Sequence, residues 1–327
     1  MTVLSAAHDY LDTDVYLDLR DSLDLPLVLK CEGLNLAGSI KMQPAAWMVS
    51  AAQRDGLLRP DSVLIESSSG NLGVALSVIA ASRGLRFVCV TDVNCNPATV
   101  KLMRTLGAEV VVLDEPHPTG GFLQARREYV RDRCARQPRH VWLNQYENPA
   151  NWIAHYESTA TLIAKDFPDL DTLFIGSGTG GTLLGCARYF REHRPHVRVV
   201  AVDSVGSVSF GGTSGPRYIP GLGAGAPMPL IASAVTAGLV DEVIRVHEID
   251  TIHACRRLAA RGVLLGGSSG TVVSAAAQWL AQHPGEHGTA VAIAPDLGER
   301  YLNTIYDDAW VRAHYGRDGI RQLLEAS

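Results

Sequence analysis

The chain has 327 residues, 46% of them hydrophobic, which is enough for a large buried core in one large domain or two joined ones. A net charge of −5 argues against nucleic acid as the main partner, and no run of about 18 apolar residues exists to span a membrane. The acidic opening, MTVLSAAHDYLDTDVYLDLRDSLD, lacks the basic-then-apolar order of a signal peptide, and six scattered cysteines without a C-x-x-C pair read as buried thiols of a reducing cytosol.

Short apolar runs then alternate with amphipathic segments. VLI at 63–65 precedes NLGVALSVIAAS, RFVCV at 86–90 precedes PATVKLMRTLG, and AEVVVL at 108–113 precedes GFLQARREYVRDRC. HVWL at 140–143 precedes NPANWIAHYESTATLIAKDF, and TLFIG at 172–176 precedes GTLLGCARYFREH. VRVVAV at 197–202 leads into a long loop, and VAIA at 291–294 follows TVVSAAAQWLAQH. Such runs suit strands buried on both faces of a parallel sheet. Gly84, Gly107 and Gly262 stand where helices end, as a C-terminal cap requires. The pattern is α/β, with open, mostly parallel sheets whose ligands bind at the carboxyl ends of strands. Residues 204–230, rich in Gly, Ser and Pro, form a loop long enough to be functional.

Four polar clusters stand at strand-to-helix turns. In ESSSGNLGVAL, the small polar residues Ser68, Ser69, Gly70 and Asn71 open a helix, whose unpaired N–H groups suit an anion such as a carboxylate; an ordinary helix cap has the same look. Gly176-Ser-Gly-Thr-Gly-Gly-Thr182 wraps a phosphate by the same logic, with Thr179 and Thr182 as hydroxyl donors. It is neither a P-loop nor a clean dinucleotide fingerprint, although Asp203 gives a Rossmann dehydrogenase some footing. Lys41, in NLAGSIKM at a helix mouth, is a Schiff-base candidate among small residues, although a lysine read alone is more often a surface one. Leu264-Leu-Gly-Gly-Ser-Ser-Gly270 again starts a helix. No metal-ligating pattern is present.

Jointly, over about residues 24–310, these pieces resemble the cysteine synthase/cystathionine β-synthase family of pyridoxal phosphate enzymes. NLAGSIKM matches that family's lysine motif, SSGNLG its T-S-G-N-x-G turn, and Gly178–Thr182 its G-T-G-G-T loop. Gln145 in NQYENPANW, PGLGAG at 220–225 and Ser268 match three further motifs. The resemblance implies a tryptophan-synthase-β-like fold of type II, with the cofactor in a cleft between two open α/β domains. These would be a smaller mobile one over 43–148, closing on substrate, and a larger one over 1–42 plus 149–327.

The same resemblance assigns roles. Lys41 would carry pyridoxal 5′-phosphate and act as acid and base. Gly178, Thr179, Gly180, Gly181 and Thr182 would bind its phosphate, and Asn71 its ring hydroxyl. Ser68, Ser69, Gly70, Asn71 and Gln145 would grip the substrate carboxylate. Ser268 would face the pyridine nitrogen, a neutral partner that suits β-elimination and replacement. Inside the family, EPHPTGGFLQAR, AVDSVGSVSFGG and APDLGERYLNTIYDDAW look like the branch that joins O-phospho-L-serine to L-glutamate for 2,3-diaminopropionate, used in a siderophore or peptide product. That implies small amino-acid substrates, a homodimer and a dehydrogenase acting next, with no nucleic acid or membrane. Arg126 is the candidate cation for the leaving phosphate and Arg217 its rival, although the basic run that Arg126 heads also reads as a solvated face.

Three departures stand out: Leu36 for the family proline, Met42 for the acid after the lysine, and Leu72 for a threonine. They keep open a cysteine synthase using sulfide, and a catalytically silent member that binds a protein.

Overall fold

The computed structural model describes residues 6, 7, 11, 14–285 and 288–325, with side chains as far as 316. Two compact units are present: Met1–Asp12 with Asn35–Ala154, and Thr13–Leu34 with His155–Ser327. The boundaries thus fall at 34/35 and 154/155, and Lys41 belongs to the first unit. The reason is local packing. Ala37, Met42, Ala45, Met48 and Val49 all sink into the first unit's core, which draws the whole 35–54 stretch with them.

The chain opens with β1 (Tyr16–Asp18), α1 (Arg20–Leu23) and β2 (Val28–Cys31), which belong to the second unit. It then builds the first unit from α2 (Met42–Arg54), β3 (Val63–Ser67), α3 (Asn71–Arg83), β4 (Arg86–Asp92), α4 (Pro97–Thr105), β5 (Glu109–Leu113), α5 (Gly121–Arg136) and β6 (His140–Trp142). Strand order is β5-β4-β3-β6, all parallel. Both faces are covered. Leu64 joins side chains of α2, α3 and α4, whereas Val63 and Ile65 join Val88, Val90 and Val130 on the other face. A strand buried on both faces reads as an unbroken apolar run, as VLI and FVCV do; AEVVVL belongs to the edge strand β5, which is only partly buried, with Glu109 and Val112 exposed.

After α6 (Pro149–Glu157) the second unit adds α7 (Thr159–Asp166), β7 (Leu170–Gly176), α8 (Gly181–His193), β8 (Arg198–Ser204), α9 (Pro229–Thr236), β9 (Glu242–Val246), α10 (Glu248–Ala259), α11 (Gly267–Gln282), β10 (Thr289–Ala294) and α12 (Asp308–Glu325). The six-stranded sheet runs β1-β2-β10-β7-β8-β9, parallel except for β1 against β2. The segment that follows β6 is two helices, broken at Ser158. Gly84, Gly107 and Gly262 carry φ of 64°, 88° and 84°, the left-handed conformation a helix end favours. Residues 205–228 hold no helix or strand.

Each sheet has one place where the chain reverses its direction of growth. In the first, strands are added outward from β3 to β5, and β6 then returns to β3's other side. In the second, β10 returns to the other side of β7. Open parallel sheets take ligands in the crevice at the carboxyl ends beside such a reversal.

No helix among the described residues is long and apolar enough to cross a membrane, and no cluster of His, Cys, Asp or Glu among them could hold a metal. All six cysteines are thiols, none in a disulfide among the described residues.

Candidate active site

In the first unit, the carboxyl ends of β3 and β6 bring Ser67–Asn71 beside Gln145. Ser68 is buried, and its Oγ accepts from the amides of Gly70 (3.2 Å) and Gly73 (2.9 Å). It therefore caps α3, while Ser69, Gly70 and Asn71 remain half-exposed around the helix mouth. Gly73 allows the turn to lie close: a Cβ there would stand 2.6 Å from Met103 Sδ and 2.8 Å from Cys89 Sγ. Gln145 is buried, with its Nε2 donating to the Ser67 carbonyl at 2.6 Å.

Glu66 ties these two halves together. Its Oε1 accepts from Ser67 N (2.8 Å) and Trp142 Nε1 (2.9 Å), and its Oε2 from Gln145 N (3.2 Å). Burial pushes its carboxyl up to about 7, against the pull of those donors. A lone acid ending an apolar run was the only trace of this role in the sequence.

Arg126 is buried on α5, where its Nη1 pairs with Asp92 and its Nε donates to Ser67 Oγ at 3.3 Å. Tyr146 OH lies 3.0 Å from the same Ser67 hydroxyl. Of the basic run, Arg131, Arg136 and Arg139 are exposed and Arg127 and Arg133 half-buried, so Arg126 is the one buried arginine of that run, beneath the turn. Neither Asp92 nor Tyr146 was singled out in the sequence.

Lys41 closes a tight loop at the start of α2. Asn35 Nδ2 donates to the Ser39 carbonyl (2.9 Å), Asn35 Oδ1 accepts from Ala37 N (3.0 Å), and Gly38 turns at φ 65°. Lys41 itself is half-buried. Met42 and Leu72, the two departures next to motif residues, are core side chains, whereas Leu36 is exposed. The apolar replacements are thus accommodated by packing.

In the second unit, three distant pieces converge. Gly176–Thr182 leaves β7 and enters α8, whose free N–H groups face the loop. A Cβ on Gly178 would lie 2.6 Å from the Gly221 carbonyl oxygen. One on Gly180, at φ +95°, would lie 2.7 Å from Ile231 Cγ1. One on Gly221, at φ +112°, would collide with Ser268 Oγ. The cradle is therefore backbone by steric necessity, and the buried Ser177 Oγ has no hydrogen-bond partner among the described residues. A glycine-walled loop at the head of a 13-residue helix fits a phosphate group.

Thr182 Oγ1 lies 3.2 Å from Nε2 of the buried His155, whose Nδ1 lies 3.1 Å from Thr159 Oγ1. The i, i+4 spacing of His155 and Thr159 was the only hint of this pair in the sequence. Arg217 is half-buried; its Nη1 points at the Leu222 carbonyl (3.4 Å), and burial lowers its pKa although Asp203 draws the charge. Asp203, fully buried at the end of β8, is held protonated to higher pH than usual by that burial. Its Oδ1 accepts from Ser204 N at 2.9 Å and so serves the start of the loop.

Residues 15–296 match the family described as pyridoxal-phosphate dependent enzyme. The chain is 42% identical over 296 residues to an N-(2-amino-2-carboxyethyl)-L-glutamate synthase of Ralstonia nicotianae, covering 90% of this chain and 86% of that one. It is 41% identical over 304 residues to the same-named enzyme of Cupriavidus metallidurans, covering 92% and 88%. An O-acetylserine dependent cystathionine beta-synthase from Helicobacter pylori is similar in structure, with a TM-score of 0.83, 27% identity, and coverage of 94% of this chain and all of that one.

Proposed function

Since the chain belongs to the pyridoxal-phosphate dependent enzymes, we propose that it joins O-phospho-L-serine to L-glutamate, giving N-(2-amino-2-carboxyethyl)-L-glutamate and phosphate. The cofactor half of this reading is carried by one observation: Gly178, Gly221 and Ser268 meet in a single unit. The substrate half rests on likeness to the two synthases.

Pyridoxal phosphate, when bound, supplies the electron sink that lets a proton leave the substrate α-carbon and a β-substituent depart. The protein's residues do the rest. Lys41 carries the cofactor, and its Nζ takes and returns the proton at the α-carbon. Residues 178–182 bind the phosphate through backbone N–H groups and hydroxyls. Ser268 Oγ meets the pyridine nitrogen as a neutral partner. Ser69, Gly70 and Asn71 hold the substrate carboxylate on the open rim of the α3 mouth; Ser68 and Gln145 shape that rim from beneath. In net terms the Cβ–O bond of phosphoserine breaks, and phosphate leaves with the electron pair. A Cβ–N bond to the glutamate amine forms, and the amine loses a proton.

Arg126 is the cation assigned to the leaving phosphate, because it is buried beside the turn and a guanidinium offers five N–H groups. Arg217, drawn toward Asp203, is the second choice. By resemblance we also assign a homodimer, a cytoplasmic setting that six reduced cysteines suit, and a dehydrogenase acting on the product.

The test is an absorption titration of the purified holoenzyme. Its visible band is expected to shift with O-phospho-L-serine and to return on adding L-glutamate, with one phosphate released per product. Turnover with sulfide, and none with glutamate, would replace this reading by cysteine synthesis.

A further inference from the structure

The sequences LLGGSSG and APDLGERY lie on either side of α11 and β10, and they form one structure. Asp296 follows β10 and is fully buried. Its Oδ1 accepts from the Ser269 amide (3.1 Å) and hydroxyl (3.0 Å), and its Oδ2 from Tyr301 OH (2.5 Å). Its main chain repeats the attachment. Its N–H donates to Ser269 Oγ at 3.1 Å, and its carbonyl accepts from Gly266 N at 3.0 Å.

The glycines of GGSSG are each fixed by a neighbour. A Cβ on Gly266 would enter the Asp296 carboxylate, one on Gly267 would strike Ile219, and one on Gly270 would strike Cys255 Sγ. Ser268 therefore sits between two anchored points, Gly266 before it and Ser269 after it, with its Oγ against Gly221. Left alone, a serine in the first turn of a helix chooses among three rotamers on a backbone that frays. A buried carboxylate suits this post. It accepts several donors at once, and it stands at the N-terminal end of a 16-residue helix, where unpaired N–H groups need acceptors.

We propose that Asp296 is a positioning residue for the cofactor's pyridine-nitrogen partner, holding the first turn of α11 so that Ser268 Oγ stays aimed. The proposal deepens the reading of Ser268 given above and rests on it.

The experiment uses holoenzyme reconstituted with pyridoxal phosphate labelled with 15N in the ring. The ring-nitrogen chemical shift, the cofactor dissociation constant, kcat/KM and Tm are measured for Asp296→Ala, Asp296→Asn, Ser269→Ala and Tyr301→Phe, alone and combined with Ser268→Ala. Asp296→Ala and Ser269→Ala are expected to move the ring-nitrogen signal and to lower kcat/KM and cofactor affinity roughly tenfold, the usual scale for a supporting contact. Asp296→Asn, which still accepts from Ser269, should recover most of this. In the Ser268→Ala background the same changes should no longer move the signal.

A fall in Tm with the ring-nitrogen signal unmoved would make Asp296 purely structural and overturn the proposal. So would effects that simply add to those of Ser268→Ala. Should Asp296→Ala not fold, Ser269→Ala and Tyr301→Phe decide by the same criteria. If Ser268→Ala alone leaves the signal in place, the Ser268 reading is wrong and the proposal falls with it.

Discussion

Glu66 accepts N–H groups from Ser67, Trp142 and Gln145 while fully buried, and its carboxyl titrates near pH 7, raised from 4.5. A carboxyl whose folded pKa is raised contributes stability that is complete below pH 4.5 and is lost as pH climbs through 7. The shift corresponds to a loss on the order of 3 kcal/mol across that window. Glu66→Gln should therefore flatten the pH dependence of unfolding between pH 4.5 and 8, as measured by urea denaturation of the apoprotein. Equal slopes in the two proteins would show that Glu66 is ionised throughout. The sequence marked Lys41, Thr182 and Ser268 because their small-residue settings are local. It did not mark Glu66, Asp92, His155 or Asp296, because a buried polar side chain is defined by partners far along the chain. Arg126 shows the same limit: in sequence it heads a basic run, and in the fold it is the one member of that run that is buried.

Among the elements, the legible strands are those built on a run of at least three apolar residues, with any charged residue at or near an end, as Arg86, Glu109 and Arg198 are. β2 was hidden because VLKC carries Lys30, which is fully buried. Its Nζ lies 3.7 Å from Glu32 Oε1 and 4.7 Å from the centre of the Tyr16 ring. A lysine interrupts an apolar run on paper, whereas in the fold its charge is paired and its stem packs. β9, EVIRV, was hidden by its charged residues, with only Val246 fully buried. The loop at 204–230 was legible as a loop; what it does was less so. Gly221 gives the clearest test. Alanine there meets Ser268 Oγ in a backbone region that disfavours any side chain, a strain of about 1–3 kcal/mol. Gly221→Ala should weaken cofactor binding by roughly ten- to a hundredfold, read by titrating apoprotein and following the visible band. Unchanged affinity would mean that the loop is free to move away from Ser268.

For the molecule as a whole, the cofactor is part of the stability. A ligand that binds only the folded state adds about 2.7 kcal/mol at a hundred times its dissociation constant. Stripping pyridoxal phosphate should lower Tm by roughly 5 °C or more, and adding it back should restore the loss. Pyridoxal without its phosphate should restore less, since residues 178–182 would then have nothing to hold. Identical melting of the two forms would mean that the cradle contributes nothing to holding the cofactor.

The position of β10 has a consequence for biosynthesis. Last to be made of the strands among the described residues, it lies between β2 and β7 in the middle of its sheet. The emerging chain completes residues 35–154 early, and these carry all four strands of their own sheet. The other sheet cannot close until residue 294 has left the ribosome. Until then β2 and β7 each present an unpaired edge, the kind of surface that invites pairing with a neighbouring chain. Contacts between the start and end of a chain are also the slowest to form. A messenger truncated before codon 289 would therefore yield a finished first unit attached to an open half-sheet, a product suited to aggregation or chaperone capture.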